Sequence, residues 1–261
     1  MDDLSLALAL ADEADAISLP RFGAADLFVE TKSDLTPVTE ADRAVEEAIR
    51  KRLATERPED AVLGEEHGET GAEGAPARWI IDPIDGTKNY VRGIPIFASL
   101  IAVERAGDVV AGVASAPALG RRWWAARGKG AFVNGRPIHV SKVERPEEGL
   151  LLFGGLTAWR RLGRLSSLLS LAATFQRSRG FGDFWMHMLV AEGSADLATE
   201  PEVSLWDLAA VQVIVEQAGG RFTDLAGDAR PDGGSAISSN GLLHDHALTE
   251  LGGDGPGGRR S

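Results

Sequence analysis

The stretch from residue 79 to residue 90 restricts the fold more than any other, because it joins an apolar run to two closely spaced carboxylates. Its first three residues, Trp-Ile-Ile, are flanked by loop residues and predict a short buried strand. Pro83 cannot continue a helix, and it biases Asp82 toward an extended backbone. Asp82 and Asp85 are therefore predicted to lie on a turn at the end of the strand, where both carboxylates can face one point.

The residue types of this turn are typical of a site for a hard cation and an anion. Ligand sets made only of oxygen suit Mg²⁺. Gly86 lets backbone amides come close to an anion, and a helix that begins after it would point its N-terminus at a phosphate. The alternative is a turn in which Asp82 and Asp85 only cap a helix, and for an isolated pair of acids this is the more common situation.

Two further acidic motifs favour a cation site over a helix cap. Gly-Glu-Glu at 64–66 follows the apolar run 61–63, so it also predicts a strand that ends in acids. Trp-Asp at 206–207 opens an apolar run with helical spacing, where Asp207 alone would be an ordinary acid at a helix N-terminus. Each of the two motifs is weak by itself.

Taken in order and spacing, Gly-Glu-Glu, Asp-Pro-Ile-Asp-Gly-Thr and Trp-Asp resemble the motifs of the inositol-monophosphatase-like superfamily of metal-dependent phosphatases. The resemblance extends from about residue 5 to about residue 250. It implies a Mg²⁺-dependent phosphomonoesterase with about two to three ions per site, in which metal-activated water attacks the phosphate. The metal ligands that it implies are Glu65, Asp82 as the bridge, the carbonyl of Ile84, Asp85 and Asp207.

The resemblance also implies roles beside the metals. Thr87 matches a threonine that hydrogen-bonds the nucleophile, and Asp42 matches an acid that assists it, although Asp42 also fits the capping box of a helix. Lys32 matches a lysine on a mobile loop near the active site, and a solvated lysine is the equally open alternative. The backbone amides of Gly86 and Thr87 would hold the phosphate.

The choice of phosphate ester depends on residues before the third motif. Glu200 stands seven residues before Asp207, the spacing at which inositol monophosphatases place a substrate-binding glutamate. Asp183 stands seventeen residues before Glu200, where those enzymes have a small uncharged residue. Two acids would favour a leaving group that carries an ammonium, as histidinol phosphate does. The alternative for Asp183 is the N-cap of a helix at 184–192.

Segments 6–16, 31–39 and 116–126 resemble bacterial histidinol-phosphate phosphatases of the superfamily more than inositol phosphatases. The predicted reaction is therefore hydrolysis of L-histidinol phosphate in histidine biosynthesis. Inositol-1-phosphate or broad-specificity hydrolysis is the alternative within the class, and a non-catalytic metal or phosphate-ligand binding protein is the alternative outside it. The predicted catalytic residues are Glu65, Thr87 and Asp42, and the predicted substrate contacts are Asp85, Gly86, Thr87, Asp183, Glu200 and Asp207.

The composition limits the partners and the cellular location that we expect for the protein. The net charge of −12 argues against nucleic acid, whose phosphates would be repelled. We expect no membrane association, because no stretch is long and apolar enough to span a bilayer and the N-terminus is acidic rather than a basic secretory signal. The absence of cysteine fits a cytoplasmic protein. The resemblance adds the expectation of a homodimer.

The chain of 261 residues is long enough to bury a sizeable core. Strands that first meander and later alternate with helices indicate an α+β fold, and the resemblance specifies a layered α-β-α-β-α sandwich of the inositol-monophosphatase/fructose-bisphosphatase type. We predict one phosphatase domain over 1–251, with two α/β halves that meet near 145–150, and a disordered tail over 252–261. Helices are predicted at 4–19, 40–57, 159–172, 184–192, 206–218 and 243–251, and strands at 61–63, 79–82, 97–104, 109–116 and 122–126, followed by a hairpin at Asn134-Gly135.

Overall fold

A computed structural model describes residues 1–32 and 36–252, which form eight α-helices and fifteen strands. The helices are α1 (Asp3–Arg21), α2 (Glu40–Glu56), α3 (Thr87–Val91), α4 (Leu156–Arg161), α5 (Leu165–Thr174), α6 (Asp183–Ala191), α7 (Leu205–Gln217) and α8 (His244–Gly252). The strands are β1 (Val29–Thr31), β2 (Pro37–Thr39), β3 (Ala61–Gly64), β4 (Gly68–Thr70), β5 (Arg78–Asp85), β6 (Ala98–Arg105), β7 (Asp108–Ala116), β8 (Arg121–Ala126), β9 (Ala131–Val133), β10 (Arg136–Ile138), β11 (Leu150–Phe153), β12 (Arg177–Gly180), β13 (Leu197–Glu200), β14 (Arg221–Thr223) and β15 (Ala236–Ser239).

Most strands belong to two sheets. The larger sheet has eight strands in the order β10-β9-β8-β7-β6-β5-β3-β4, and its pairs are antiparallel except for β3 with β5. The smaller sheet has five strands in the order β12-β11-β13-β15-β14, in which β11 runs parallel to both of its neighbours. A separate ribbon pairs β1 with β2. The predicted hairpin is confirmed, because β9 and β10 flank Asn134 and Gly135.

Helices cover both faces of each sheet, so the fold has five layers. Helices α1 and α2 share a buried apolar cluster with one face of the larger sheet. Helices α6 and α7 pack against its other face and also contact the smaller sheet. Helices α4, α5 and α8 cover the outer face of the smaller sheet. The predicted α-β-α-β-α sandwich is confirmed.

The alternation of side chains along β5 determines the face of the sheet to which Asp82 points. Trp79 and Ile81 lie in the cluster with α1 and α2, whereas Ile80 lies in the cluster with α6 and α7. Because neighbouring side chains of a strand point to opposite faces, Asp82 follows Ile80 toward the central helices. The apolar run therefore determines that this carboxylate faces the middle of the molecule.

Two predicted helix boundaries were wrong. Helix α1 continues through Pro20 to Arg21, because a proline in the last turn removes only one helical hydrogen bond. The single helix predicted over 159–172 is two helices, α4 and α5. They are separated at Gly163, which adopts the left-handed conformation at φ 71°.

The division of the chain into domains stays a prediction. The last strand of the larger sheet ends at Ile138, and the first strand of the smaller sheet begins at Leu150. Of the tail predicted over 252–261, Gly252 is the final residue of α8, and the remainder lies outside the described residues. Over the described part of the chain, none of the helices combines the length and the apolar character needed to cross a bilayer.

Candidate active site

An irregularity in β5 brings its two acids to the same side of the sheet. The prediction that the strand ends at Asp82 was wrong, because β5 continues through Pro83 to Asp85. Asp82 pairs with Leu100 of β6 and Asp85 pairs with Ala98, so three steps on β5 match two steps on β6. This extra residue is a bulge, a position at which a sheet tolerates proline. Without it, side chains three positions apart would point to opposite faces.

Asp82, Asp85 and Asp207 form the centre of the site. Each offers one carboxylate oxygen, and the three oxygens lie within 4.8 Å of one another. Asp207 comes from the first turn of α7, where its Oδ2 accepts a hydrogen bond from the amide of Ser204 at 2.7 Å. The amide of Phe184 donates to Asp85 Oδ2 at 2.6 Å. Asp207 therefore caps its helix and belongs to the acidic cluster at the same time.

These three carboxylates fit a hard divalent cation. Asp82 Oδ1 is buried and has no hydrogen-bond partner among the described residues. Burial raises the pKa of Asp82 and of Asp85, and nearby acids add to the effect. Burial likewise raises the pKa of Asp207 to about 7. A buried group of acids that repel one another in this way is stabilised by a cation that binds oxygen ligands.

Glu65 lines the same cavity but lies outside the group of three. It follows β3 directly, and its carboxylate accepts a hydrogen bond from Lys32 Nζ at 2.8 Å. Lys32 also donates to Glu66 at 2.5 Å. Burial alone would lower the pKa of Lys32, but its bonds to the two glutamates outweigh that effect and raise it. Lys32 is therefore paired with the motif rather than freely solvated.

Glu46, which sequence reasoning missed, holds the loop that carries Glu65. It is fully buried on α2, and its Oε2 accepts a hydrogen bond from the amide of Glu66 at 2.7 Å. A Cβ atom on Gly64 would lie only 2.1 Å from Glu46 Oε1, so the glycine leaves space for this carboxylate. The one available signal was an acid between apolar positions that face the core.

Thr87 and Asp42 contact each other, and the roles that the family resemblance implies for them beside the nucleophile stay a prediction. Thr87 Oγ1 lies 3.1 Å from Asp42 Oδ1 and 2.9 Å from the carbonyl oxygen of Ile84. The other oxygen of Asp42 accepts a hydrogen bond from the amide of Thr39 at 2.8 Å. Asp42 therefore completes the capping box of α2 and reaches Thr87. Burial raises its pKa.

Asp183 lies beside the turn that precedes α3. The helix-cap alternative for Asp183 was wrong, because Gly182 is the N-cap of α6 and Asp183 is the first helical residue. Its Oδ2 accepts a hydrogen bond from Asn89 Nδ2 at 2.9 Å. Burial and the nearby charge of Glu200 raise the pKa of Asp183 to about 6. A Cβ on Gly86, whose φ is 84°, would lie 3.5 Å from the same carboxylate oxygen.

Glu200, at the end of β13, occupies space left by two glycines. A Cβ atom on Gly154 would lie 2.3 Å from Glu200 Oε1, and one on Gly182 would lie 2.8 Å from it. On the other side, Glu200 Oε2 lies 3.8 Å from His187 Nε2. Neither the glycines nor His187 carried a sequence signal for the site.

One cavity of about 680 Å³ joins these groups. Its walls come from the larger sheet, from the central helices and from the smaller sheet. The predicted metal and substrate residues that line it are Glu65, Asp82, Ile84, Asp85, Gly86, Thr87, Asp183, Glu200 and Asp207. Asp42 reaches the cavity through Thr87. A layered sandwich with such an acidic cavity is the architecture of a metal-dependent phosphatase.

Comparison with known proteins specifies the class, and the chain belongs to the inositol monophosphatase family, whose model matches residues 2–252. It is 55% identical over 256 residues to a histidinol-phosphatase of Mycobacterium tuberculosis, covering 96% of this chain and 98% of that protein. It is 52% identical over 260 residues to a histidinol-phosphatase of Streptomyces coelicolor, covering 96% and 97%. A solved IMPase structure from Thermotoga maritima superimposes with a TM-score of 0.87 at 32% identity, covering 97% of each chain. The predicted superfamily is confirmed.

Proposed function

We propose that this protein hydrolyses L-histidinol phosphate to L-histidinol and inorganic phosphate in histidine biosynthesis. The observation that carries the proposal is that Asp183 and Glu200 line the same cavity as the acidic cluster. The relatives named histidinol-phosphatase support it, since the identity of 55% extends over nearly the whole of both chains.

The two additional acids favour a cationic leaving group. Asp183 and Glu200 interact electrostatically with each other, and a substrate ammonium between them would relieve that repulsion. Histidinol supplies such an ammonium together with an imidazole, whereas inositol offers only hydroxyl groups. An acid at position 183 therefore favours the binding of histidinol phosphate over that of inositol phosphate.

The residues that would hold Mg²⁺ are Asp82, Asp85 and Asp207, with Glu65 and the Ile84 carbonyl on the same cavity wall. All of these donors are oxygen atoms, which supports Mg²⁺ over softer ions, and about two to three ions would be needed. When bound, such ions supply activation of water and neutralisation of the charge that develops on the leaving oxygen.

Residues of the chain orient the reactants. When the Thr87 hydroxyl donates to Asp42, its lone pairs remain free to accept a hydrogen bond from the attacking water and so orient that water. Glu65 lies on the same wall as a further acceptor. The amides of Gly86 and Thr87, at the start of α3, would hold the phosphate oxygens.

The test is phosphate release with Mg²⁺ from L-histidinol phosphate and from D,L-inositol 1-phosphate, compared as kcat/KM. We expect a preference of about a hundredfold for histidinol phosphate, which is about 2.7 kcal/mol of differential transition-state binding. Asp183→Asn should reduce this ratio, and Asp82→Asn should abolish both activities. Equal rates for wild type, or a reversed preference, would assign the protein to inositol 1-phosphate instead.

A homodimer and a cytoplasmic location complete the proposal. The family resemblance supports the dimer, which sedimentation velocity would measure directly. The biosynthetic reaction supports the cytoplasmic location.

A further inference from the structure

His187 is a buried side chain on α6 that the proposed reaction does not use. Its side chain is about 1% exposed, yet it lines the cavity. Nδ1 lies 2.7 Å from the hydroxyl of Ser238 on β15. Nε2 is buried and has no hydrogen-bond partner among residues 1–32 and 36–252. Because an unpaired buried polar atom destabilises the protein, we expect Nε2 to gain a hydrogen-bond partner when substrate occupies the cavity.

The nearest acid to this atom is Glu200. Its Oε2 lies 3.8 Å from His187 Nε2, which is longer than a hydrogen bond but within reach of a small rotation. Its Oε1 already occupies the space left by the missing side chains of Gly154 and Gly182, on which an added Cβ would lie 2.3 Å and 2.8 Å away. The carboxylate therefore has little freedom on the glycine side and adjusts mainly on the side of His187.

We propose that His187 is a positioning residue that fixes the Glu200 carboxylate for the leaving group. In this arrangement the Ser238 hydroxyl donates to Nδ1, so Nε2 carries the proton and donates it in a hydrogen bond to Glu200 Oε2. Active-site hydrogen bonds that are long in the free enzyme commonly shorten when substrate is bound. The inference rests on the proposed function in that Glu200 contacts the substrate.

Exposure separates this role from direct substrate contact. The side chain of Glu200 is 15% exposed and that of His187 is 1% exposed, so the glutamate is the more accessible of the two to a substrate in the cavity. A carboxylate held by His187 keeps its remaining lone pairs directed at the leaving group. Loss of the hydrogen bond from His187 to Glu200 should therefore weaken substrate binding and leave the phosphate end of the site unchanged.

The test uses a matched pair of substitutions, His187→Asn and His187→Gln. The Asn amide can replace Nδ1 and keep the bond to Ser238, but it does not extend to the position of Nε2. The Gln amide extends to that position and can donate to Glu200. We expect His187→Asn to raise KM about tenfold with kcat changed less than about threefold, and His187→Gln to restore most of the loss.

Two controls separate positioning from a general packing defect. Competitive inhibition by inorganic phosphate reports the phosphate end alone, so its inhibition constant should not change in either variant. In a Glu200→Ala background, His187→Asn should cause little further loss, because its effect passes through the carboxylate. Equal losses in both His187 variants, or a full effect of His187→Asn without Glu200, would overturn the proposal.

The outcome is independent of which ester is preferred. If the wild-type enzyme prefers inositol 1-phosphate, the proposed substrate is wrong, and the coupling between positions 187 and 200 is then measured with that ester. If His187→Asn does not fold, Ser238→Ala applies the same test, because it keeps the imidazole but removes the group that selects its tautomer. We expect Ser238→Ala also to raise KM, by about twofold to fivefold. An unchanged KM would contradict the proposed positioning of Glu200 by His187.

Discussion

Asp183 combines an unfavourable backbone conformation with an unfavourable charge. Its φ of 58° lies in the left-handed region, which residues other than glycine, asparagine and aspartate rarely adopt. Its carboxylate is buried near Glu200, which raises its pKa to about 6. One hydrogen bond from Asn89 offsets part of this cost. Such a residue is retained where function benefits from it.

Replacement of Asp183 by Asn should therefore stabilise the metal-free protein while it reduces selectivity. Asn tolerates the left-handed backbone and removes one charge from the cluster, so we expect the free energy of unfolding to rise by about 1 kcal/mol. Urea denaturation in EDTA measures this change, and Glu147→Gln is a control for removal of an exposed charge away from the site. A fall in stability would mean that the bond to Asn89 outweighs the strain and the repulsion.

Gly64 should tolerate no side chain. A Cβ would lie 2.1 Å from Glu46 Oε1, and Glu46 is held by a hydrogen bond from Arg50 Nε at 2.7 Å. We expect Gly64→Ala to lower the free energy of unfolding by about 1–3 kcal/mol and to displace the loop that carries Glu65, with loss of activity. Thermal unfolding and phosphate release measure the two effects. Gly155→Ala is the matched control, since among the described residues no atom beyond the chain neighbours lies within 4 Å of a Cβ added there, and an equal loss in that variant would refute the explanation.

At the scale of elements, β5 illustrates what the sequence could predict about the site. The apolar run and the two acids predicted a strand followed by two carboxylates that face one point, and the further acidic motifs were needed to predict a metal site there. The continuation of the strand through Pro83 was not predictable locally, because it depends on the irregular pairing of Asp82 and Asp85 with β6. A proline ends a strand in most contexts, and only the neighbouring strand shows that this one is a bulge.

The start of α8 contains a histidine that should respond to pH. His244 is buried, and its ring nitrogens lie 2.8 Å from the Ser239 hydroxyl and 2.9 Å from the Thr223 hydroxyl. Burial lowers the pKa of His244 to about 4 from the ordinary value of 6.5. The neutral ring therefore connects α8 with β14 and β15.

Acidification should weaken this connection. Because the folded-state pKa lies below the unfolded value, the unfolded chain binds more protons, and stability present above pH 6.5 is lost as pH falls toward 4. Between pH 7 and pH 5 the contribution of this group should fall by about 2 kcal/mol. Urea unfolding at both pH values should show a smaller decrease in His244→Gln than in wild type. An equal decrease in both proteins would assign the pH dependence to other groups.

At the scale of the whole molecule, the family motifs were sufficient to predict the layered fold and the cluster around Asp82. Sequence could not supply the groups that become neighbours only after the two sheets pack. Gly154 and Gly182 make room for Glu200, and His187 faces it, yet none of these belongs to a motif. Their roles depend on contacts between distant segments, which no local pattern contains.

The acidic cavity should make global stability depend on divalent cations. Binding to the folded state alone adds about 2.7 kcal/mol when the ligand is at a hundred times its dissociation constant. For a chain of 261 residues, this corresponds to a rise in Tm of roughly 5–10 °C. Differential scanning calorimetry of EDTA-treated protein with and without Mg²⁺ measures it, with NaCl at matched ionic strength as the control. The same shift in Asp82→Asn would place the ion elsewhere.

The position of the cavity between two sheets separates the hydrolytic groups from the groups proposed to select the ester. Asp82 and Asp85 lie on the larger sheet, whereas Asp183 and Glu200 come from the later half of the chain, on α6 and β13. Exchange of residues 150–203 between relatives, which leaves Asp207 on α7 unchanged, should therefore transfer substrate preference while the hydrolytic apparatus stays in place. With such a division, evolution can change which ester an enzyme accepts without rebuilding the groups that cleave it.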